Sequence, residues 1–357
     1  MPDIENYDVL VIGSGEAGKY LAWTMAGEGH RAAVVERKLV GGSCPNVACL
    51  PSKNIIHSAK VRSLAGRAAE FGVDTGSAVT SMKGVQDRKR AMVDGLRQVH
   101  LDRYGASGAE LIMGQARFTA PRTVEVGLAG GGSRRMGGNR VFLNLGTRAT
   151  VPDLPGLAEA GPMTHIELLD LDRLPEHLVV MGGGFVGLEL AQAMRRFGSR
   201  VTVIERGPQL AGGEDPDVAA AVLDLFRDEG IDVLLGTRVQ GAEGKSGREV
   251  RVLTDGPDGE GAVTGTDCWS PPAAPRTPAA SVSSKPGSSE PGPVTSRSTS
   301  TWPPRRTRCG RWASAPAARS SPTPPSTTSG SSWTTCTGEP ASPPAAWCRS
   351  ACSSTRS

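Results

Sequence analysis

No apolar run in this 357-residue chain approaches the ~18–20 residues needed to cross a bilayer. No charged leader with a small-residue cleavage site precedes the first apolar segment, Tyr7 to Ile12, so neither a membrane span nor a secretory signal is expected. A basic stripe is missing as well. The formal net charge is only +4, and much of the excess comes from the C-terminal stretch, which argues against nucleic acid as a partner. The expectation is a cytoplasmic protein without membrane contact. In that reducing compartment, a close pair of cysteines points to redox or metal chemistry rather than to a structural staple.

The C-terminal stretch lacks far more. Residues 268–357 contain no Leu, Ile, Met, Phe, Tyr, His, Asn, Gln or Asp, yet hold five of the six tryptophans. Such a composition cannot bury enough apolar area to offset a backbone entropy of roughly 1–2 kcal/mol per residue. A disordered, low-complexity tail is therefore expected from 268 onward. Residues 1–267 read as an ordinary α/β sequence, long enough for two domains with their own cores.

Within residues 1–267 a single pattern occurs twice. Asp8 to Ile12 is an apolar strand entering Gly13-Ser14-Gly15-Glu16-Ala17-Gly18, a helix over 17–27 and a strand over 31–35 that ends in Glu36 and Arg37. Gly13 allows the tight turn, Gly15 lets backbone approach a pyrophosphate, and Gly18 lets the helix pack closely on the strand. Glu36 is placed to take a ribose hydroxyl. Leu178 to Met181 then enters Gly182-Gly183-Gly184 with Gly187 and Glu189 behind it, a helix to about Phe197, and a strand from Arg200 ending in Glu205. First glycine to terminal acid is 23 residues in both copies. Two such units imply two dinucleotides or two halves of one site, and the cysteine pair between them favours the first. A carboxylate at Glu205 would repel a 2′-phosphate and so favours NAD(H) over NADP(H), although Arg206 stands beside it.

Between the two units lies Gly41-Gly42-Ser43-Cys44-Pro45-Asn46-Val47-Ala48-Cys49-Leu50-Pro51-Ser52-Lys53. Two thiols five positions apart, directly behind a nucleotide-binding unit, suit two-electron exchange between a disulfide and a bound cofactor. A helix starting at Ala48 would stabilise thiolate and lower its pKa. Half of a metal site is the bland alternative, but metal-ligand pairs usually stand two to four apart and no second pair follows before the tail, so no metal is expected. Buried core thiols fit the flanking Gly-Gly and Pro-Ser-Lys poorly. His30, His57, His100, His165 and His177 read as scattered surface residues, and the basic helix near Met82 to Arg103 as a solvated face.

With these residues placed, 1–267 resembles the pyridine nucleotide–disulfide oxidoreductases, which include mercuric reductase, dihydrolipoamide dehydrogenase and glutathione reductase. Gly41 to Lys53 follows the family segment G-G-T-C-x-N-x-G-C-x-P-[ST]-K, with Ser43 for threonine and Ala48 for glycine. The resemblance implies an α/β fold of two Rossmann-like, doubly wound nucleotide-binding domains. An FAD-binding domain would span 1–150 and an NAD(P)-binding domain 151–267. It implies FAD on Gly13, Ser14, Gly15, Glu16, Ala17, Gly18, Glu36, Arg37, Gly42, Ser43 and Lys53, with Ala116 near the adenine end and Gly146-Thr147 where the chain leaves the flavin domain. Gly182, Gly184, Gly187, Glu205 and Val239 match nicotinamide-nucleotide contacts, and Glu189 a carboxylate that pairs with Lys53.

The implied chemistry passes hydride from NAD(P)H to the flavin and on to a Cys44–Cys49 disulfide. Cys49 then lies nearer the flavin and Cys44 attacks a small-molecule or protein disulfide, or passes electrons to a metal ion. The resemblance also implies a homodimer. Its interface domain, with a His–Glu acid–base pair and a second flavin-binding segment, is not legible in 268–357. Read in a shifted frame with free synonymous choice, Cys268 to Thr277 can give L-V-A-A-G-R-T-P-N, and Arg308 to Gly338 can give V-W-A-V-G-E-C-A-G-S-P-Q-F-T-H followed by helix-like text. Both resemble family segments, in one frame and in family order, so the expectation is a reading frame that slips near Asp267.

Overall fold

The computed structural model describes residues 3–147 and 149–271. The tail reading from 272 onward, including most of the shifted-frame text, lies outside the described residues. Strand β1 (Glu5–Ile12), helix α1 (Glu16–Gly27) and strand β2 (Ala32–Glu36) form the first βαβ unit. Side chains alternate across a strand. Leu10 and Ile12 accordingly join Ala33 and Val35 in one apolar cluster, while Val9 and Val11 meet Ala22 and Trp23 of α1 in another. Burial on both faces is why β1 reads as an unbroken apolar run. Burial of each of Val9, Leu10, Val11 and Val35 contributes about 1.5–3 kcal/mol.

Two helices follow, α2 (Ser43–Val47) and α3 (Cys49–Gly66), broken at Ala48 (φ −135°, ψ −101°). Helix α4 (Met82–Ser107) starts at Ser81, whose hydroxyl accepts the Gly84 N–H at 3.2 Å. Strands β3 (Glu110–Ala120), β4 (Thr123–Leu128) and β5 (Ser133–Leu143) complete the N-terminal module. β1 pairs in parallel with β2 and β5, β2 pairs in parallel with β3, and β3, β4 and β5 are antiparallel neighbours. The five strands thus close into a ring. Its end is tied by Arg134, which donates to Glu5, Glu110 and the Tyr7 hydroxyl.

The module that follows contains the short helices α5 (Leu157–Ala160) and α6 (His165–Leu169), then β6 (His177–Met181), α7 (Phe185–Phe197), β7 (Arg200–Ile204), α8 (Pro216–Asp228) and β8 (Asp232–Leu234). An antiparallel sheet of β9 (Arg238–Lys245), β10 (Glu249–Gly256) and β11 (Gly259–Gly265) precedes β12 (Asp267–Trp269). The parallel sheet runs β12-β6-β7-β8. On one side Leu178, Val180, Val201 and Val203 pack against α7 and α8, and on the other Val179 and Ile204 meet Ala242, Val250 and Val252 of the antiparallel sheet. Ile55 and Ala59 of α3 belong to the first of these clusters, so the helix behind the thiols is rooted in the core of the second module.

The elements depart from the sequence reading in four places. Val141 to Leu145 read in sequence as a strand leading to Gly146, but they fall at the end of the longer β5, which stops at Leu143. Residues 268 and 269, expected to open a disordered tail, are buried strand. Their backbone pairs in register with Val179 and Val180, and Cys268 donates its N–H to Ser246 Oγ at 3.2 Å. The solvated face of α4 is interrupted by Gln86 and Lys89. These side chains are buried because Gln86 Nε2 and Lys89 Nζ donate to the Leu169 carbonyl at the end of α6, at 3.0 and 2.9 Å. Finally, His100, His165 and His177 are half-buried rather than scattered on the surface, and burial lowers the pKa of each.

Candidate nucleotide and thiol site

Both glycine turns have the same close packing. Gly13 takes φ +102° and Gly182 φ +135°, a region L side chains avoid. A Cβ on Gly18 would stand 2.3 Å from the Gly13 carbonyl oxygen, and one on Gly187 would stand 2.4 Å from that of Gly182. Neither α1, which begins after Gly15, nor α7, which begins after Gly184, has a side-chain cap. Their first-turn N–H groups, at exposed Glu16 and Ala17 in the first case, can therefore receive a phosphate at the positive end of the helix. A Cβ on Gly184 would meet nothing within 4 Å, which leaves room for a ligand to approach.

The acids that end β2 and β7 hold their turns in the same way. The Ser14 N–H donates to Glu36 Oε2 at 2.9 Å, and the Gly183 N–H donates to Glu205 Oε2 at 2.7 Å. Glu205 Oε1 takes one further bond, from the Gly207 N–H at 2.7 Å. Glu36 takes three more, from Ser14 Oγ at 2.8 Å and from the N–H groups of Lys38 and Leu39 at 2.8 and 3.1 Å. Burial pushes the Glu36 carboxyl up, but the bonds from Lys38, Ser14 and Leu39 together pull it below its ordinary value. A carboxylate offers about four acceptor positions. Glu36 fills all four internally, so a ribose hydroxyl must displace one of these bonds, whereas Glu205 keeps two positions open.

The thiol segment lies directly on the first turn. Gly42 (φ +77°) leaves so little room that a Cβ would be 2.5 Å from Gly15 Cα. The Gly41 N–H donates to Ser14 Oγ at 3.0 Å, and Asn46 Nδ2 donates to the carbonyls of Val40 and Gly42 at 2.9 and 2.7 Å. These bonds fix α2, with Cys44 half-buried in its first turn and Cys49 exposed at the first position of α3. The two sulfurs are unbonded but share a hydrogen bond. The Cys44 thiol, on the preceding helix, is pushed up to about 11, by burial first and by Cys49 second. One turn beyond Cys49 on α3, Lys53 pairs with Glu189 of α7.

Sequence reasoning misses several residues that flank the turn. Asn144 Nδ2 donates to the Gly13 carbonyl at 3.3 Å, and its N–H donates to that of Ile12 at 2.8 Å. Lys19, buried behind Gly18, donates to Glu16 Oε1 at 2.6 Å and faces His100 Nε2 at 3.0 Å. Only the position of Lys19 beside the third glycine could have signalled it. Arg37 and Ser43 are exposed at the edge of the site. Ala116 sits on β3 opposite Val126 and Val239 on β9 opposite Thr254, while Gly146 and Thr147 form exposed backbone beyond β5. Among the described residues no group of three or more His, Cys, Asp or Glu side chains could hold a metal ion, and no helix is long and apolar enough to cross a membrane.

The family described as pyridine nucleotide-disulphide oxidoreductase matches residues 7–265. A mercuric reductase of Streptomyces lividans is 33% identical over 256 residues, which cover 71% of this chain and 54% of that protein. The probable pyridine nucleotide-disulfide oxidoreductase RclA of Escherichia coli is 32% identical over 241 residues (66% and 51%), and a dihydrolipoyl dehydrogenase of Bacillus subtilis is 34% identical over 243 residues (65% and 51%). Among solved structures, a Cu(II) complex of the HOCl-induced flavoprotein disulfide reductase RclA from Escherichia coli superposes with a TM-score of 0.67 at 29% identity, covering 78% of this chain and 58% of that one. The chain thus spans about half the length of the curated relatives named here. The paired glycine turns, the thiol segment laid on the first of them and the match over 7–265 converge: the chain belongs to the pyridine nucleotide-disulphide oxidoreductase family.

Proposed function

We propose that this chain is the nucleotide-binding portion of an FAD-dependent NAD(P)H:disulfide oxidoreductase, with residues 1–150 holding FAD and 151–267 holding NAD(H). The carrying observation is that Gly42, two residues before Cys44, rests on Gly15 of the first nucleotide turn. FAD, when bound, supplies the means of taking a hydride and passing on its electron pair.

The chain's own residues do the rest. The uncapped starts of α1 and α7 bind phosphate. Glu205, with two acceptor positions open, orients a ribose diol and disfavours a 2′-phosphate. Cys44 and Cys49 take up two electrons and two protons as their disulfide opens. Lys53, held by Glu189, places a positive charge one helical turn beyond Cys49. Glu36 fits less well, and binding of an adenosine ribose there requires it to release one internal bond. The acceptor is a disulfide or a metal ion. A mercuric-reductase-like flavoprotein is the first reading and a dihydrolipoamide dehydrogenase the second.

The short coverage of the relatives favours one further reading, a nucleotide-binding fragment without turnover from a gene whose frame slips near Asp267. A visible spectrum of the purified chain separates the two. A flavin band that NADH bleaches and a disulfide restores supports the enzyme, whereas a colourless protein that takes up no FAD overturns it for this chain. Resequencing codons 260–275 tests the frame slip. An intact, independently supported tail rejects it.

A further inference from the structure

Lys19 is 2% exposed, an unusual burial for an ammonium group, and it lies on the side of α1 that meets α4. It donates to Glu16 Oε1 at 2.6 Å and to His100 Nε2 at 3.0 Å. The His100 pKa lies below its ordinary range, through burial first and Lys19 second. The imidazole is therefore uncharged at neutral pH and accepts at Nε2, which assigns its proton to Nδ1. The ring is held on two sides. Trp23 stacks on it with centroids 6.0 Å apart and planes 29° apart, and a Cβ on Gly41 would stand 2.6 Å from its Nδ1. Gly41 and Gly42 launch α2, the helix that carries Cys44. A buried, immobilised cation thus backs the turn that presents the thiol.

The other groups on elements packed against α2 are committed or neutral. From α3 come Cys49, a free thiol that acts on Cys44, and Lys53, paired with Glu189. From α4 come Arg97, which reaches Asn46 Oδ1 at 3.5 Å, and the uncharged His100. From α6 come Glu167, which accepts the Thr164 N–H at 2.8 Å, and His165, kept below its ordinary range by burial. After burial and Cys49, the charges that act on Cys44 are Glu16, which opposes thiolate and ranks first of the two, and Lys19, which favours it. Their solvation is unequal: the Glu16 side chain is half-exposed, while Lys19 is sealed in. Water screens the first charge more than the second.

We propose that Lys19 is a positioning residue for the thiol chemistry. Its ammonium, clamped by His100 behind the Gly41–Gly42 turn, is the fixed positive charge against which Cys44 ionises, and Glu16 moderates it. This rests on the reading of Cys44 as the thiol that attacks substrate, and it adds a third residue to the two on which that reading depends.

The test is peptide-resolved alkylation of the full reduced chain by iodoacetamide across pH. Cys44 gives its proton to hydroxide, the thiolate sulfur bonds to the reagent's methylene carbon, and iodide leaves. Lys19→Met should raise the midpoint of the Cys44 profile and Glu16→Gln should lower it, each by roughly half to one pH unit, or about three- to tenfold in rate at fixed pH. Lys19→Arg should restore most of the wild-type profile. A purely structural role would move both variants in the same direction as α1 loosens. Shifts of the same sign, or an unmoved profile in folded variants, overturn the proposal. If Lys19→Met does not fold, Glu16→Gln decides alone, and an unmoved or raised midpoint is then the refuting result. The outcome is independent of the functional reading. A colourless protein with opposed shifts defeats the enzyme but not the electrostatics, and a flavin-bearing protein with no shifts does the reverse.

Discussion

Lys53 and Glu189 form an ion pair between the helix behind the thiols and the helix of the second nucleotide turn. Lys53 lies one turn into α3, behind the thiols laid on Gly15, and Glu189 lies in the first turns of α7, behind Gly184. Their side chains remain 57% and 44% exposed. An ion pair that wet contributes at most about 1 kcal/mol. Lys53→Met and Glu189→Gln should therefore each shift stability by less than ~1 kcal/mol, with a double-mutant coupling in the same range. If the chain holds FAD as proposed, reduction of the flavin by NADH should slow by roughly a hundredfold in either variant, the lower end of the scale for one electrostatic group lost at a reacting centre. Urea melts and stopped-flow bleaching check the two halves, and a coupling well above ~2 kcal/mol would show that the pair is a structural clamp instead.

The three glycines of each turn should separate in their effects. Gly18→Ala and Gly187→Ala place a methyl against a backbone carbonyl at 2.3 and 2.4 Å, so helix and strand must move apart. Such overpacking costs about 1–3 kcal/mol. Gly184→Ala meets open space and should leave the melting temperature of the free protein nearly unchanged. It should abolish the stabilisation that NADH gives by binding the folded state. A Gly184→Ala variant that still gains full thermal protection from NADH would contradict this assignment of the second turn.

Glu36 should make a share of the protein's stability depend on acid. Its folded-state carboxyl lies below the ordinary value. Its contribution is therefore complete above the unfolded carboxyl value of about 4.3 and is lost as pH falls through the folded value. Glu36→Gln cannot accept the same four N–H and O–H donors and should lose about 1–3 kcal/mol at about pH 7. Urea midpoints measured at about pH 7 and at about pH 3–4 should converge between wild type and variant. Parallel lines would mean that the carboxylate's charge is not what holds the Ser14 and Leu39 turns together.

Mild oxidation should discriminate among the three thiols of the described residues, Cys44, Cys49 and Cys268. Cys44 and Cys49 share a hydrogen bond and Cys49 is exposed, whereas Cys268 is fully buried and pushed up to about 11, chiefly by burial. Diamide should link the 44 and 49 peptides within one chain and leave Cys268 unmodified until the protein unfolds. Mass spectrometry of the digested, alkylated protein reads this directly. Modification of Cys268 at the rate of Cys49 would show that β12 opens readily.

The repeated turn is the most legible feature of the sequence, because the steric demands at Gly13, Gly18, Gly182 and Gly187 leave few alternatives to glycine. The thiol segment is equally plain, and its seat on Gly15 follows from Gly42. What the sequence does not disclose depends on partners distant along the chain or on how a turn folds back. Glu36 reads as a free ribose acceptor, yet the Lys38 and Leu39 amides and Ser14 fill it, because the turn after β2 doubles back on the carboxylate. His100 and Lys89 lie on a helix of charged composition, and each is buried by a partner from another element, Trp23 with Lys19 in one case and the end of α6 in the other. No local pattern encodes such pairings.

Strand β12 carries a consequence for where this fold ends. The match to the family ends at residue 265, but the sheet does not, since 267–269 pair with β6 along their backbone. A ladder of main-chain hydrogen bonds recruits any residue that can extend and fit, without regard to its side-chain chemistry. Trp269 shows the limit of that tolerance, for its indole N–H is buried without a partner. A cut placed at the end of that match would therefore leave an edge of the parallel sheet bare.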